Sequence, residues 1–353
     1  MTIPEGNQYT FVDLFAGIGG FHIAFKRAHC HCCFASEIDK HARATYKANF
    51  SLEPFGDIKL INERTIPDHD ILAAGFPCQP FSLAGVSKYN ALGLDHGFRH
   101  LTKGTLFFDI ARILEAKRPR AFLLENVKNL IGHDKGRTFD LILKTLTLDL
   151  KYSVSFGIVD ARVFVPQHRE RVYIVGFREQ VGFRFPEFSG PTKTLPEILE
   201  KRVEKKYTLT PKLWQYLQDY RAKHFRQGHG FGFSMVEPDD PKSITRTLSA
   251  RYHKDGSEIL IGQGNHRLPR RLTPLECARL MGFPEKFKIE SSDTQAYRQF
   301  GNAVVVPVAE AFAREIVSAL SRFDKHRSEA QFQSLEQANQ SKSRAPEKII
   351  YKS

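Results

Sequence analysis

The chain of 353 residues is long enough for one large domain plus a smaller one, and its 41% hydrophobic content can fill a full core. No apolar run approaches the roughly 18 residues of a membrane span, and "MTIPEGNQYT" lacks a secretory pattern, so a cytoplasmic protein with no membrane attachment is expected. The formal net charge of +13 favours a polyanionic partner, nucleic acid first, and five cysteines without an export signal argue against a disulfide framework.

The first half alternates short apolar runs with helix-like stretches. "YTFVDLFAG" reads as a strand and "GGFHIAFKRA" as a helix, with Phe21, Ala24, Phe25 and Ala28 at helical spacing. "CCFASEI" is a second strand, "KHARATYKANF" a helix, and a further extended segment ends near "GDI". "DILAAGF" is a strand and "TLFFDIARILEAKRP" a helix stopped before Pro119, while "AFLLENV", "YSVSFGIV" and "RVYIVGF" continue the strands. This alternation predicts an α/β fold, a doubly wound and mostly parallel sheet whose ligands lie at the carboxyl ends of its strands.

Between about Val181 and Pro269 the pattern dissolves into Pro/Gly/Lys-rich pieces around the single tryptophan, Trp214. Short irregular strands with exposed basic residues are expected there, forming a small second domain. Order returns at "RRLTPLECARLMGFP", and "PVAEAFAREIVSAL" is amphipathic, with Val308, Phe312, Ile316 and Leu320 on one face. The polar residues 326–353 are expected to be a disordered tail.

"DLFAGIGG" places Gly17, Gly19 and Gly20 between the first strand and the first helix, where glycine lets the backbone turn sharply and approach a ligand. The next strand ends in "SEID", putting Glu37 where an acid commonly accepts from ribose hydroxyls; Asp57 of "GDI" could accept from an adenine amino group. The loop lacks the full G-x-G-x-x-G spacing of a pyrophosphate site, so S-adenosyl-L-methionine fits better than NAD(P). Crowded Cys30, Cys32 and Cys33 are poor geometry for a tetrahedral zinc site, and no metal is expected.

"GFPCQPFS" holds Cys78 between Pro77 and Pro80 after an apolar run. The thiol could be inert core, metal ligand, half a disulfide or a nucleophile. Two further polar groups fall at the ends of later strands: Glu125 in "LLENVKN", and Arg169 with Arg171 in "QHRERVYIVG". Arginines raise a thiol's thiolate fraction, and a thiolate is a good covalent nucleophile. A carboxyl group can engage the N3 and N4 edge of a cytosine, and an arginine its O2. Attack at C6 then makes C5 nucleophilic towards a sulfonium methyl group. The set favours the nucleophile.

With these residues in view, the chain resembles the DNA cytosine-5 methyltransferases. The matches are "FVDLFAGIGGF", "SEID", "GDI", "GFPCQPFS", "ENVKN", "QHRERVYIVG", "RRLTPLECARLMGFP" and "QFGNAVVVPV", in the family's order. The resemblance implies a Rossmann-like catalytic domain from 1–180 plus 291–325 and a target-recognition domain over 181–290. It implies Cys78 as nucleophile, assisted at the base by Glu125, Arg169 and Arg171. A cofactor site follows from Phe15, Gly17, Gly19, Gly20, Glu37, Ile38, Asp57, Ile58, Pro77, Leu106, Asn302 and Val304. Ile38 stands where many members carry a larger residue against adenine.

Chemistry at C5 of a paired cytosine requires the base to leave the stack. The stretch after Cys78 is longer than the roughly 12–15 residues of ordinary loops and carries Gln79, Ser82, Lys88 and Arg99, which are expected to close on double-stranded DNA. In the small domain Arg246, Arg251 and Lys254 are candidate contacts to guanine edges or phosphates. "TRTLSARYHKDGSEILI" and "GVSKYNALGLDHGF" resemble the Dcm-type subgroup, implying a CCWGG or CCNGG target. The resemblance further implies a monomer at the bacterial nucleoid when bound to DNA, acting alone or beside a restriction endonuclease for the same site. Two alternatives stand beside this reading: a tRNA cytosine-5 methyltransferase on the same scaffold, and a DNA-binding module without catalysis.

Overall fold

The computed structural model describes residues 9–77, 106–188, 192–228, 232–264 and 267–343, with side chains as far as residue 333. In chain order the main elements are β1 (Tyr9–Leu14), α1 (Gly20–Arg27), β2 (Cys30–Ser36), α2 (Lys40–Phe50), β3 (Ile71–Gly75), α3 (Leu106–Lys117), β4 (Ala121–Val127), α4 (Arg137–Lys144), β5 (Ser153–Asp160) and β6 (Glu170–Phe177). They continue with α5 (Leu195–Ile198), α6 (Pro211–Arg226), β7 (Met235–Val236), β8 (Leu260–Ile261), α7 (Pro274–Leu280), α8 (Asp293–Asn302) and α9 (Val306–Ser343).

Six strands form one sheet in the order β2-β1-β3-β4-β6-β5. The first four run parallel, and β6 pairs antiparallel with both β4 and β5. The reversal of β6 has a consequence for the site. Its amino end, at Glu170 and Arg171, lies beside the carboxyl end of β4, where Arg171 is in register with Val127. Residues from β1, β2, β3, β4 and β6 therefore meet at one edge of the sheet.

Strand alternation sends side chains to two apolar layers. Phe11, Ile71, Ala73, Leu123 and Tyr173 pack with Phe21 and Phe25 of α1 and Phe312 and Ile316 of α9. Val12, Leu72, Phe122, Leu124 and Ile174 pack with Ile110 and Leu114 of α3 and Phe139 and Ile142 of α4. The C-terminal helix thus returns to the first half of the chain, and Asp324 clasps its far part there by accepting from Arg120 (2.6 Å) and Tyr9 (2.9 Å).

Three sequence expectations change. The segment before "GDI" makes a single bridge, Ser36 to Phe55, and is not a sheet strand. The region of expected irregular strands contains the 16-residue helix α6, started by Thr210 and Pro211 and seated through Leu217 beside Leu209 and Leu260. The expected disordered tail from 326 instead begins as a continuation of α9 to Ser343. Its composition is polar, but it is rich in Glu, Gln, Ala and Ser and free of Gly and Pro over that span, which leaves helix formation unopposed.

Candidate active site

A cavity of about 530 Å³ opens at the shared strand edge. Of the residues expected at the cofactor, Phe15, Gly17, Glu37, Ile38, Asp57, Ile58, Pro77, Leu106 and Asn302 line it, as do Glu125, Arg169 and Arg171. Gly19, Gly20 and Val304 do not reach the cavity surface and act from behind. A Cβ on Gly19 would meet Phe50 Cε2 at 2.1 Å, and one on Gly20 would meet Val304 Cγ2 at 2.6 Å. These glycines let the loop pack against α2 and the turn after α8. Cys78, Gln79, Ser82, Lys88 and Arg99 lie outside the described residues.

The loop from Phe15 to Gly19 turns through left-handed backbone at Phe15 (φ 54), Gly17 (φ 54) and Gly19 (φ 90). Glu37 Oε2 accepts from Gly17 N at 2.8 Å and Oε1 from Asp39 N at 2.8 Å, so one carboxylate joins the β1 and β2 ends. Burial raises its pKa, opposed by those backbone donors. Asp57 Oδ1 accepts from Lys59 N, which aims the carboxylate. Ile38 is 68% exposed and forms an apolar rim. Open space lies where a Cβ on Gly17 would point. A backbone cradle, a ribose-level carboxylate and apolar Phe15, Ile38 and Ile58 fit an adenosyl group. Asp13 of β1 is fully buried, and burial, with the nearby charge of Glu37, lifts its pKa well above the carboxylate range.

At the other end of the cavity stands Glu125, 8% exposed near the end of β4. Arg171 Nε approaches Glu125 Oε1 at 3.1 Å. Burial raises the carboxyl pKa, and the charges of Arg171 and Arg169 oppose the rise. Asn126, next in sequence, was not singled out from the sequence, yet its Nδ2 donates to Phe76 O at 2.9 Å. It ties β4 to the chain that leads through Pro77, and the quoted "ENVKN" already contained it.

The two arginines divide. Arg171 pairs with Glu125, whereas Arg169 donates to three backbone carbonyls: Leu248 (2.7 Å), Gly301 (3.1 Å) and Ala303 (2.9 Å). It is 3% exposed, and its Nε is buried without a partner. Burial pulls its pKa down to about 9, with repulsion from Arg171 beside it. Arg169, expected with Arg171 to assist at the base, lines the cavity and joins the start of β6, the 245–249 segment and the end of α8. Gln167 beside it donates nothing to the cavity; its Oε1 accepts from Leu248 N at 2.8 Å. Arg246, Arg251 and Lys254 are exposed, with Arg246 Nη1 donating to Gly232 O. Three cavity residues that sequence reading missed, Gln295, Arg298 and Gln299, come from one helix, α8.

A mostly parallel sheet whose strand ends open a cavity lined by Glu37, Asp57 and the Glu125–Arg171 pair is the α/β arrangement of the Rossmann-like methyltransferases. Residues 9–318 match the model of the C-5 cytosine-specific DNA methylases, and the chain belongs to that family. It is 48% identical to the DNA-cytosine methyltransferase of Escherichia coli strain K12, over 87% of this chain and 77% of that protein. It is 51% identical to the type II methyltransferase M1.ScrFI of Lactococcus lactis subsp. cremoris, over 90% and 80%. A solved methyltransferase of Entamoeba histolytica, EhMeth, shares the fold with a TM-score of 0.69 at 18% identity, over 89% of this chain and 99% of that one. The enzyme is a DNA-cytosine methyltransferase, and its cofactor is S-adenosyl-L-methionine.

Proposed function

We propose that the enzyme methylates C5 of one cytosine within a short double-stranded target by flipping the base into the cavity and attacking C6 with Cys78. The observation that supports this most is the Glu125–Arg171 pair (3.1 Å) at the inner end of a cavity whose other end suits an adenosyl group. When bound, S-adenosyl-L-methionine supplies an electrophilic methyl group at the reacting end.

The chain's own groups do the rest. Glu125, its pKa raised by burial, holds a proton more readily than an ordinary carboxyl group and can donate it to N3 of the cytosine. That withdraws electron density from C6. Arg171 steadies Glu125 and serves O2 of the ring. The Cys78 thiolate forms the S–C6 bond, and C5 becomes nucleophilic enough to take up the methyl group. Loss of the C5 proton to solvent water, expulsion of the thiolate and return of the N3 proton to Glu125 restore the aromatic ring and the starting enzyme. Pro77 limits the backbone freedom of the segment that carries the thiol.

Residues 181–290 are the proposed reader of the target, with Arg246, Arg251 and Lys254 as its exposed cations. Gln79, Ser82, Lys88 and Arg99 are the proposed contacts from the segment after the nucleophile. The Dcm-type sequence pattern supports a CCWGG or CCNGG target, and the similarity to a type II methyltransferase supports a restriction endonuclease for the same site as companion. A cytoplasmic monomer acting at the nucleoid is the state proposed. Bisulfite sequencing of DNA from cells expressing the protein tests the reading: one protected cytosine in a short CC…GG palindrome supports it. Methyl transfer to tRNA but not to duplex DNA overturns it.

A further inference from the structure

The α8 wall of the cavity carries a cation that the chemistry above leaves unused. Gln295, Arg298 and Asn302 recur at helical spacing and line the cavity from one face of α8. Among the described arginines of the lining, Arg169 is buried, Arg171 is partly buried against Glu125, and Arg298 is exposed. Its Nη2 lies 3.3 Å from Nε2 of His253. The imidazole is held from behind, with Nδ1 2.8 Å from Ala250 O. When Nδ1 donates to that carbonyl, Nε2 is left with the lone pair that accepts from Arg298.

His253 stands in a turn whose neighbours Arg251 and Lys254 are both exposed. Among the described residues, no ion pair involves Arg251, Lys254 or Arg298. An unpaired cationic strip thus crosses from the 250–254 turn to the wall of the cavity. A base that reaches Glu125 and Arg171 has left the stack, so its flanking phosphates stay at the cavity mouth. We propose that Arg298 holds a backbone phosphate of the strand carrying the target cytosine, aimed by His253 and continued by Arg251 and Lys254. The inference rests on the reading that the base enters this cavity. The carboxylate of the cofactor offers the same anionic oxygens, and the experiment separates the two.

The full-length wild type, R298Q and R298K are titrated by fluorescence anisotropy with a duplex containing the methylated site, between 50 and 200 mM salt. S-adenosyl-L-methionine binding is measured by calorimetry without DNA. One lost phosphate contact flattens the plot of log K against log salt by about 0.9, so R298Q loses about 3.5-fold less affinity than wild type across that range. R298K keeps the wild-type slope, and cofactor affinity stays within about twofold in both variants. An unchanged slope in R298Q overturns the proposal, whether affinity falls in both variants through a structural defect or cofactor binding weakens instead. A wild type that fails to methylate duplex DNA defeats the functional reading itself; one that methylates while R298Q keeps the full slope defeats only this inference.

Discussion

Replacing Arg169 with methionine separates a residue that holds the site together from one that touches the base. The guanidinium supplies three hydrogen bonds, to the carbonyls of Leu248, Gly301 and Ala303. A buried carbonyl left without its donor costs about 1–3 kcal/mol. Two effects reduce the total: Arg169 borders the cavity, so water can reach part of the gap, and removing a buried cation relieves its desolvation. A net loss of about 2–4 kcal/mol follows, a large share of the roughly 5–15 kcal/mol that keeps a protein folded. Arg171→Met leaves the buried Glu125 carboxyl group without its partner, but the group borders the cavity, where it can take up a proton and water, so the stability loss is expected to be the smaller of the two, about 1–2 kcal/mol. Urea unfolding followed by circular dichroism and by Trp214 fluorescence measures both, beside kcat on a duplex substrate. The expected pattern is R169M poorly stable and weakly active, and R171M stable but slow. An R169M variant as stable as wild type and devoid of activity would refute the positioning role.

Three other substitutions test the same account. Glu125→Gln should lower kcat by about 10²–10⁴-fold. Because burial raises the folded pKa of Glu125, the folded protein holds that proton more tightly than the unfolded chain. Wild-type stability relative to E125Q should therefore fall as pH rises from about 4.3 through the raised value; a difference that grows in the opposite direction contradicts the burial argument. Gly20→Ala should weaken cofactor binding and cost about 1–3 kcal/mol, since the added carbon falls 2.6 Å from Val304 Cγ2. Val304→Ala in the same chain should recover part of that loss in a double-mutant cycle, and strict additivity would sink the contact. Cys78→Ala should abolish methyl transfer while calorimetry shows cofactor binding intact.

Much of the catalytic half was legible because its signals are local. "KHARATYKANF" and "AFLLENV" coincide with α2 and β4 residue for residue, since period and flanking breakers act within a few positions. The helix α6 was missed although Thr210-Pro211 is a good start signal; its surroundings of Pro, Gly and charge outweighed one apolar stripe. The helical extension beyond residue 326 was missed because polarity was read as disorder, while helix propensity does not require an apolar face. Site residues showed the same division. Glu37 and Glu125 stand at strand ends, where position alone suggests function. Arg169 shares its motif with Arg171, and only the fold shows that its donors serve carbonyls from residues 248, 301 and 303. Arg298 carries no local signature, and its place beside His253 exists only after α8 has packed.

The central claim is covalent attack at C6 of a flipped cytosine. It is tested most directly by incubating the enzyme and S-adenosyl-L-methionine with duplex DNA carrying 5-fluorocytosine at the target position. Fluorine at C5 cannot leave as a proton does, so the bond between Cys78 and C6 persists. A denaturation-resistant complex of one enzyme per duplex, absent for C78A, is the predicted result. Active enzyme that methylates cytosine yet leaves no such complex with the fluorinated duplex would contradict the account.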